Sequence, residues 1–158
     1  MRPFALAAVL MSALTAPAVA VVHCPSAADQ SAYEVLALRT QMIVLATKNC
    51  GREQEYNRNF AIRFQPALQA NERAVSSYFR RAYGGAGQSR KDTFSTELVN
   101  VMSQEANRQG PEYCSRAGLI ISEINALRSM DELAAYAAVK AVIPEGTSMC
   151  AYSGGRRR

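Results

Sequence analysis

The sequence predicts an all-α protein, a disulfide-stapled bundle of about five helices in which neighbouring helices are antiparallel. Apolar residues recur at intervals of three and four, which places them on one face of each helix. Glycine and proline residues separate these segments by short turns, and short turns make consecutive helices antiparallel. The four cysteines form an even set, as expected when disulfides hold a bundle together.

Residues 1–20 have the pattern of a secretory signal peptide. Arg2 supplies the basic start, residues 4–14 form an apolar run, and the small residues 18–20 suit a signal peptidase. The run is shorter than the roughly 20 residues that span a bilayer, and no later segment is longer, so we predict no transmembrane segment. We therefore expect a periplasmic or secreted protein that is cleaved after Ala20.

The mature chain is predicted to form one helical domain over residues 21–150, followed by a basic flexible tail over residues 151–158. The formal net charge of +5 includes Arg2 of the signal peptide and the three arginines at positions 156–158. The folded body is thus close to neutral, and the charge gives no reason to expect nucleic acid binding.

Two disulfides are predicted, because an even number of cysteines in an exported chain indicates pairing. The first helix ends, and the fourth begins, at the same pole of an antiparallel bundle, which favours a bond between Cys50 and Cys114. Cys24 and Cys150 are then left to join the two termini. Lipidation of Cys24 is the alternative to this second bond, although His23 precedes it where a small residue is usual.

The first helix is expected to be central and the most buried of the bundle, and the second to form a long wall of it. The first starts at the capping box Ser26–Asp29 and runs to about Asn49, with apolar residues over most of its circumference. The second covers Arg52–Tyr83, and a kink is expected at Pro66, because proline removes a backbone hydrogen bond and clashes with the preceding turn. Its apolar stripe comprises Tyr56, Phe60, Phe64, Leu68, Val75, Tyr78, Phe79 and Ala82.

Three shorter helices complete the predicted bundle. The third runs from a cap at Ser89–Asp92 to Gln109, and the fourth begins with Pro111. The fifth starts from a cap at Ser129–Glu132 and ends before Pro144.

A basic corner flanks the glycine-rich turn after the second helix and is a candidate site for an anion or an acidic partner. It consists of Arg80, Arg81, Tyr83, Arg90 and Lys91. The alternative, which we favour, is structural: Arg80 and Arg81 complement the negative end of the helix dipole, and Lys91 is solvated. Glycine loops that bind phosphate follow a strand, and no strand is predicted here.

Two positions on the helices are candidates for other sites. Asn71 falls on the apolar stripe and, together with Pro66, is a candidate pocket for a small apolar ligand. The alternative is an amide that is satisfied by a neighbouring helix. Glu105, near the inner face of the third helix, is a candidate general acid, although no second carboxylate is placed beside it.

Catalytic and metal sites are otherwise not predicted. His23 is the single histidine and lies at the mature N-terminus, so a Ser-His or Cys-His catalytic system is not expected. A copper site that combines His23 with Met149 is a minor alternative, since histidine and methionine suit that metal. We predict no cofactor, no metal and no catalytic residue.

Several short stretches carry a resemblance to known proteins. They are Cys24-Pro25, Leu38-Arg39-Thr40-Gln41-Met42, Tyr56-Asn57 and Tyr78-Phe79-Arg80-Arg81. These stretches resemble small exported four-cysteine helical proteins of proteobacteria that have no assigned activity. The resemblance covers most of the mature chain and implies an exported helical fold, but it assigns a role to no residue.

Together these observations favour a non-enzymatic helical binding module that interacts with another cell-envelope protein. One alternative is a carrier for a small apolar ligand, with a pocket near Pro66 and Asn71. The other alternative is a cell-wall hydrolase that uses Glu105.

Overall fold

The computed structural model describes residues 24–48, 50–141 and 143. Within these residues the chain is helical and contains no strand, which confirms the predicted all-α fold. The predicted signal peptide, the tail, His23, Asn49, Met149 and Cys150 lie outside the described residues.

Six α-helices and two other helical segments follow one another along the described chain. The α-helices are α1 (Ala27–Thr47), α2 (Glu53–Tyr56), α3 (Gln65–Tyr83), α4 (Gly87–Gln109), α5 (Pro111–Ala126) and α6 (Met130–Lys140). A π-helical segment (Asn57–Ile62) continues α2, and a 3-10 turn (Gly84–Ala86) joins α3 to α4. None of these helices is both long enough and apolar enough to cross a membrane.

Helix α1 is the central helix, as predicted. It begins with the predicted capping box, in which the Asp29 backbone N–H donates to Ser26 Oγ at 3.2 Å and the Ser26 backbone N–H donates to the Asp29 carboxylate at 3.1 Å. Helices α3, α4 and α6 all pack on α1, so that Val35, Ala37 and Leu38 are buried on different sides of it. The apolar circumference of this helix explains its central position.

The long second helix is kinked beside Pro66. The π-helical segment ends in a turn at Arg63 and Phe64, and α3 then begins at Gln65. Pro66 therefore lies in the first turn of α3, where its missing N–H would have no partner within the helix. The irregularity itself lies just before the proline, in the π-helical segment, and the predicted stripe is buried on both sides of it.

Helix α4 starts at Gly87. The predicted start of this helix at a Ser89–Asp92 cap is therefore wrong. No side chain caps this helix, and Asp92 instead accepts a hydrogen bond from Gln88 Nε2 at 2.9 Å. An N-cap residue needs extended backbone, but the chain is already helical in the 3-10 turn before Gly87. By contrast, Pro111 in the first turn of α5 and the Ser129 cap of α6 are confirmed.

Helix α5 is held at both ends. The predicted disulfide between Cys50 and Cys114 is present, with Cα atoms 5.2 Å apart, and fixes the start of α5 to the segment after α1. At the other end, Arg63 donates hydrogen bonds to the carbonyls of Asn125 and Leu127. The predicted partner of Cys24 lies outside the described residues, so that pairing stays a prediction.

Candidate ligand-binding cleft

Helices α4, α5 and α6 do not close completely over α1, and a cleft of about 770 Å³ remains between them. Its floor includes Leu45 of α1 and Met102 of α4, which are both buried. Around the mouth lie Leu119, which is 67% exposed, and Ile143, which is 38% exposed. The volume falls within the range of about 300–1,000 Å³ that is typical of small-molecule sites.

The spacing of the lining residues follows from helix geometry. Val101, Glu105 and Arg108 lie three and four positions apart on α4, and Arg116 and Ile120 share one face of α5. Each wall therefore presents a mixed face of apolar and charged side chains. Such a face leaves part of the apolar surface of α5 without a packing partner.

Glu105 lies on the α4 wall and is fully engaged by hydrogen bonds. Arg108 donates to it twice, at 2.8 Å and 2.5 Å, and Gln109 Nε2 donates at 2.7 Å. These bonds lower the pKa of Glu105 to about 2, and the charge of Arg116 adds a smaller effect in the same direction. A general acid must hold its proton at the working pH, so this carboxylate has the opposite of the required property.

The second carboxylate of the cleft, Glu123, is engaged in the same way. It accepts a hydrogen bond from the Tyr136 hydroxyl at 2.7 Å and another from Lys140 Nζ at 3.2 Å. Both bonds lower the pKa of Glu123. The pKa of Tyr136 is raised mainly by burial and, to a smaller extent, by its hydrogen bond to Glu123. Glu123 therefore stays ionised, and Tyr136 stays protonated as a donor.

The cations of the cleft outnumber its carboxylates. Arg108 and Lys140 pair with the two glutamates, whereas Arg116 donates only to the Gln109 side-chain oxygen, at 3.3 Å. Among the described residues Arg116 has no carboxylate partner. The side chains that line the cleft thus carry one more positive than negative charge.

A single hydroxyl lies near the floor of the cleft. Tyr113 OH points to the backbone carbonyl of Gln41 at a distance of 3.5 Å. Burial raises the pKa of Tyr113 to about 12, so the ring remains neutral. Together with Gln41, which is buried and also lines the cleft, it adds a polar group to the floor without adding charge.

The residues of the predicted basic corner mostly have partners of their own. Arg81 pairs with Asp29 at 2.6 Å, and Arg90 lies over the Tyr83 ring at 5.9 Å from its centroid. Arg80 is exposed in the last turn of α3, as expected of a residue that complements the helix dipole. Anion binding at this corner stays a prediction.

Lys91 was expected to be solvated, and that expectation is wrong. Its ammonium group pairs with Glu72 at 2.5 Å and donates to Ser76 Oγ at 3.1 Å, and its side chain is only 13% exposed. Lys91 therefore ties α4 to α3. A helix-to-helix contact across the bundle cannot be read from the spacing within either helix.

The two residues of the predicted pocket near the kink differ in their surroundings. Asn71 is buried, and its Nδ2 donates to the Ala32 carbonyl of α1 at 3.0 Å, which matches the structural alternative. Pro66 is exposed. A hollow of about 410 Å³ beside α3 has Arg39, Leu68 and Glu72 among its lining residues, and neither Pro66 nor Asn71 lines it.

Metal ligands are not clustered in the part of the chain that the structure describes. No three histidine, cysteine, aspartate or glutamate side chains come together there in a way that would hold a metal ion. The alternative copper site at His23 and Met149 lies outside that part.

Most of the cleft was not found by reading the sequence. Glu105 was noted, but Arg116, Glu123 and Tyr136 were not, because they come together only through the angle between α4, α5 and α6. One signal was available: Leu119 extends the apolar surface of α5 beyond the face that packs on the core.

Comparison of the chain with family models, curated proteins and solved structures gives no match. The resemblance to exported four-cysteine proteins therefore stays a prediction.

Proposed function

We propose that the chain is an exported, non-enzymatic binding module whose binding site is the cleft between α4, α5 and α6. The observation that carries this proposal is a concave, largely apolar site of about 770 Å³ whose two carboxylates are both committed to neighbouring donors. Concave apolar pockets with a few polar groups are the usual sites of small ligands. The disulfide between Cys50 and Cys114 supports an oxidising compartment.

The cleft favours a bound ligand over catalysis, because Glu105 lacks the properties of a general acid. Its low pKa keeps it ionised, and its donors leave little capacity for a substrate. Hydrolysis at two carboxylates also needs one of them to be protonated, whereas Glu123 is held ionised by Tyr136 and Lys140.

A cell-envelope protein is the alternative occupant of this face. Leu119, which lines the cleft on α5, is 67% exposed, and exposed apolar side chains are typical of docking surfaces. The concave shape and the volume of the cleft nevertheless suit a small ligand better. The proposed site thus differs from the pocket near Pro66 that the sequence suggested for a carrier.

The proposal is tested with the neutral fluorescent probe N-phenyl-1-naphthylamine. Saturable binding to the wild type is expected, and Leu119→Glu is expected to weaken it about tenfold, because a charge at the mouth opposes entry of an apolar ring. Ile62→Glu is the matched control, since Ile62 is 68% exposed and does not line the cleft.

Three results would contradict the proposal. The first is the absence of saturable probe binding, and the second is an equal loss of binding in Leu119→Glu and Ile62→Glu. The third is release of soluble fragments from peptidoglycan by the wild type but not by Glu105→Gln, which would show catalysis.

A further inference from the structure

We propose that the ligand of the cleft is a single-chain amphiphile with a carboxylate head group, that is, a free fatty acid. This inference rests on the proposed function and names the class of ligand for the same site. The acyl chain would occupy the apolar floor, and the head group would lie at Arg116 on the rim.

The apolar half of the cleft suits a flexible hydrocarbon chain. Leu45 and Met102 form the buried floor, and Ile120, Leu119 and Ile143 continue the apolar surface outwards to the mouth. An apolar path of this kind, from floor to mouth, buries a chain while leaving one of its ends in water.

The charged half of the cleft selects a negative head group. Glu105 and Glu123 already accept hydrogen bonds from Arg108, Gln109, Tyr136 and Lys140, so the charge of each glutamate is already paired with a cation of the cleft. Arg116 is different, because within the described residues it makes one hydrogen bond, to Gln109, and has no carboxylate partner. A guanidinium has five donors, so most of those of Arg116 remain available for a ligand.

A carboxylate fits Arg116 better than a phosphate monoester does. The planar guanidinium binds a carboxylate through two parallel hydrogen bonds. The lining of the cleft has an excess of one positive charge, which one carboxylate neutralises. A phosphate monoester carries a charge of about −1.5 to −2 at neutral pH, so it would leave negative charge facing Glu105. Glu105 is near Arg116, since the charge of Arg116 lowers the pKa of Glu105.

The experiment compares ligands that have the same chain and different head groups. Dodecanoate, dodecanol, dodecyl phosphate and dodecyltrimethylammonium are titrated, below their micelle-forming concentrations, against the probe bound to the wild type. Dodecanoate is expected to displace the probe at about one tenth of the concentration needed for dodecanol, and more effectively than the other two. Added salt should narrow this difference, because the contact at the rim is screened.

Two arginine variants test the position of the head group. Arg116→Gln is expected to remove the advantage of dodecanoate over dodecanol. Arg58→Gln is the matched control, because Arg58 is exposed, does not line the cleft, and its replacement changes the net charge by the same amount. Since Arg116 is also exposed, neither change disturbs the core.

The outcomes separate this inference from the proposed function. Equal competition by dodecanoate and dodecanol, stronger competition by dodecyl phosphate or the ammonium compound, or equal effects of the two arginine variants would overturn the fatty acid. The cleft would still stand as a binding site if the probe distinguishes Leu119→Glu from Ile62→Glu. Failure of the probe to make that distinction would overturn both.

Discussion

Asp29 shows at the scale of a single residue how one carboxylate holds two helices. It accepts hydrogen bonds from the Ser26 backbone and hydroxyl at the start of α1 and pairs with Arg81 of α3. Burial raises the pKa of Asp29, but the hydrogen bonds from Ser26 and Arg81 outweigh it and lower the pKa below 3.8. The charged form is therefore favoured in the folded state.

This depressed pKa predicts how stability changes with pH. The contribution of Asp29 is fully present above the pKa of an unfolded aspartate, about 3.9, and is lost as the pH falls through the lower pKa of the folded state. Asp29→Asn is expected to lower the free energy of unfolding by about 1 kcal/mol at pH 6. The loss should be much smaller at a pH below the pKa of Asp29 in the folded state. Urea unfolding at pH 6 and at acidic pH measures the difference.

Asp92→Asn is the control for this measurement, since Asp92 is exposed and accepts from the Gln88 amide instead of a cation. Asp92→Asn is expected to lower the free energy of unfolding by less than Asp29→Asn does at pH 6, because no ion pair is lost. A loss with Asp29→Asn that is as large in acid as at pH 6 would contradict the interpretation.

The junction between α3 and α4 depends, at the scale of the element, on the absence of a side chain at Gly87. A Cβ built there would lie 2.8 Å from both Arg80 Cα and the Phe79 carbonyl oxygen, which are backbone atoms. Gly85, two residues earlier, has nothing within 4 Å of the same position. The two glycines of one turn therefore differ in what they can tolerate.

Gly87→Ala is expected to lower the free energy of unfolding by about 1–3 kcal/mol, because the α3–α4 junction must open to admit a methyl group. Gly85→Ala should change it by less than about 1 kcal/mol. Thermal or urea unfolding of the two variants makes the comparison. Equal effects would show that the close approach of the two helices is not what requires glycine.

The junction between α3 and α4 separates the features that the sequence predicts from those that depend on contacts between helices. The apolar periods, the Ser26 and Ser129 caps and the pole shared by Cys50 and Cys114 were sufficient to predict the helices and one disulfide, because each depends on local spacing or helix direction. The start of α4 was not predicted, because Gly87 is required there by the close approach of the α3 backbone. Arg116 and Glu123 were missed for the same reason, since the angle between helices determines what they face.

The Cys50–Cys114 disulfide acts at the scale of the whole molecule. It spans 64 residues and joins the segment after α1 to the first turns of α5. Loop closure of this length restricts the unfolded chain and stabilises the fold by about 4 kcal/mol in the chain-entropy model.

Replacement of both Cys50 and Cys114 by serine is therefore expected to lower the free energy of unfolding by about 4 kcal/mol. Urea unfolding measures the change. Non-reducing conditions keep any other disulfide intact in both proteins. A loss below about 1 kcal/mol would contradict the entropic account, since it would mean that the loop is already restricted in the unfolded chain.

Cys114 follows Tyr113, the residue whose hydroxyl lies near the floor of the cleft. The bond that anchors α5 is thus one residue away from the proposed ligand site. Since the thiols become a disulfide only under oxidising conditions, the wall that α5 contributes acquires its covalent anchor only there. A chain with both cysteines reduced would lack the covalent link between this wall of the cleft and the segment that follows α1.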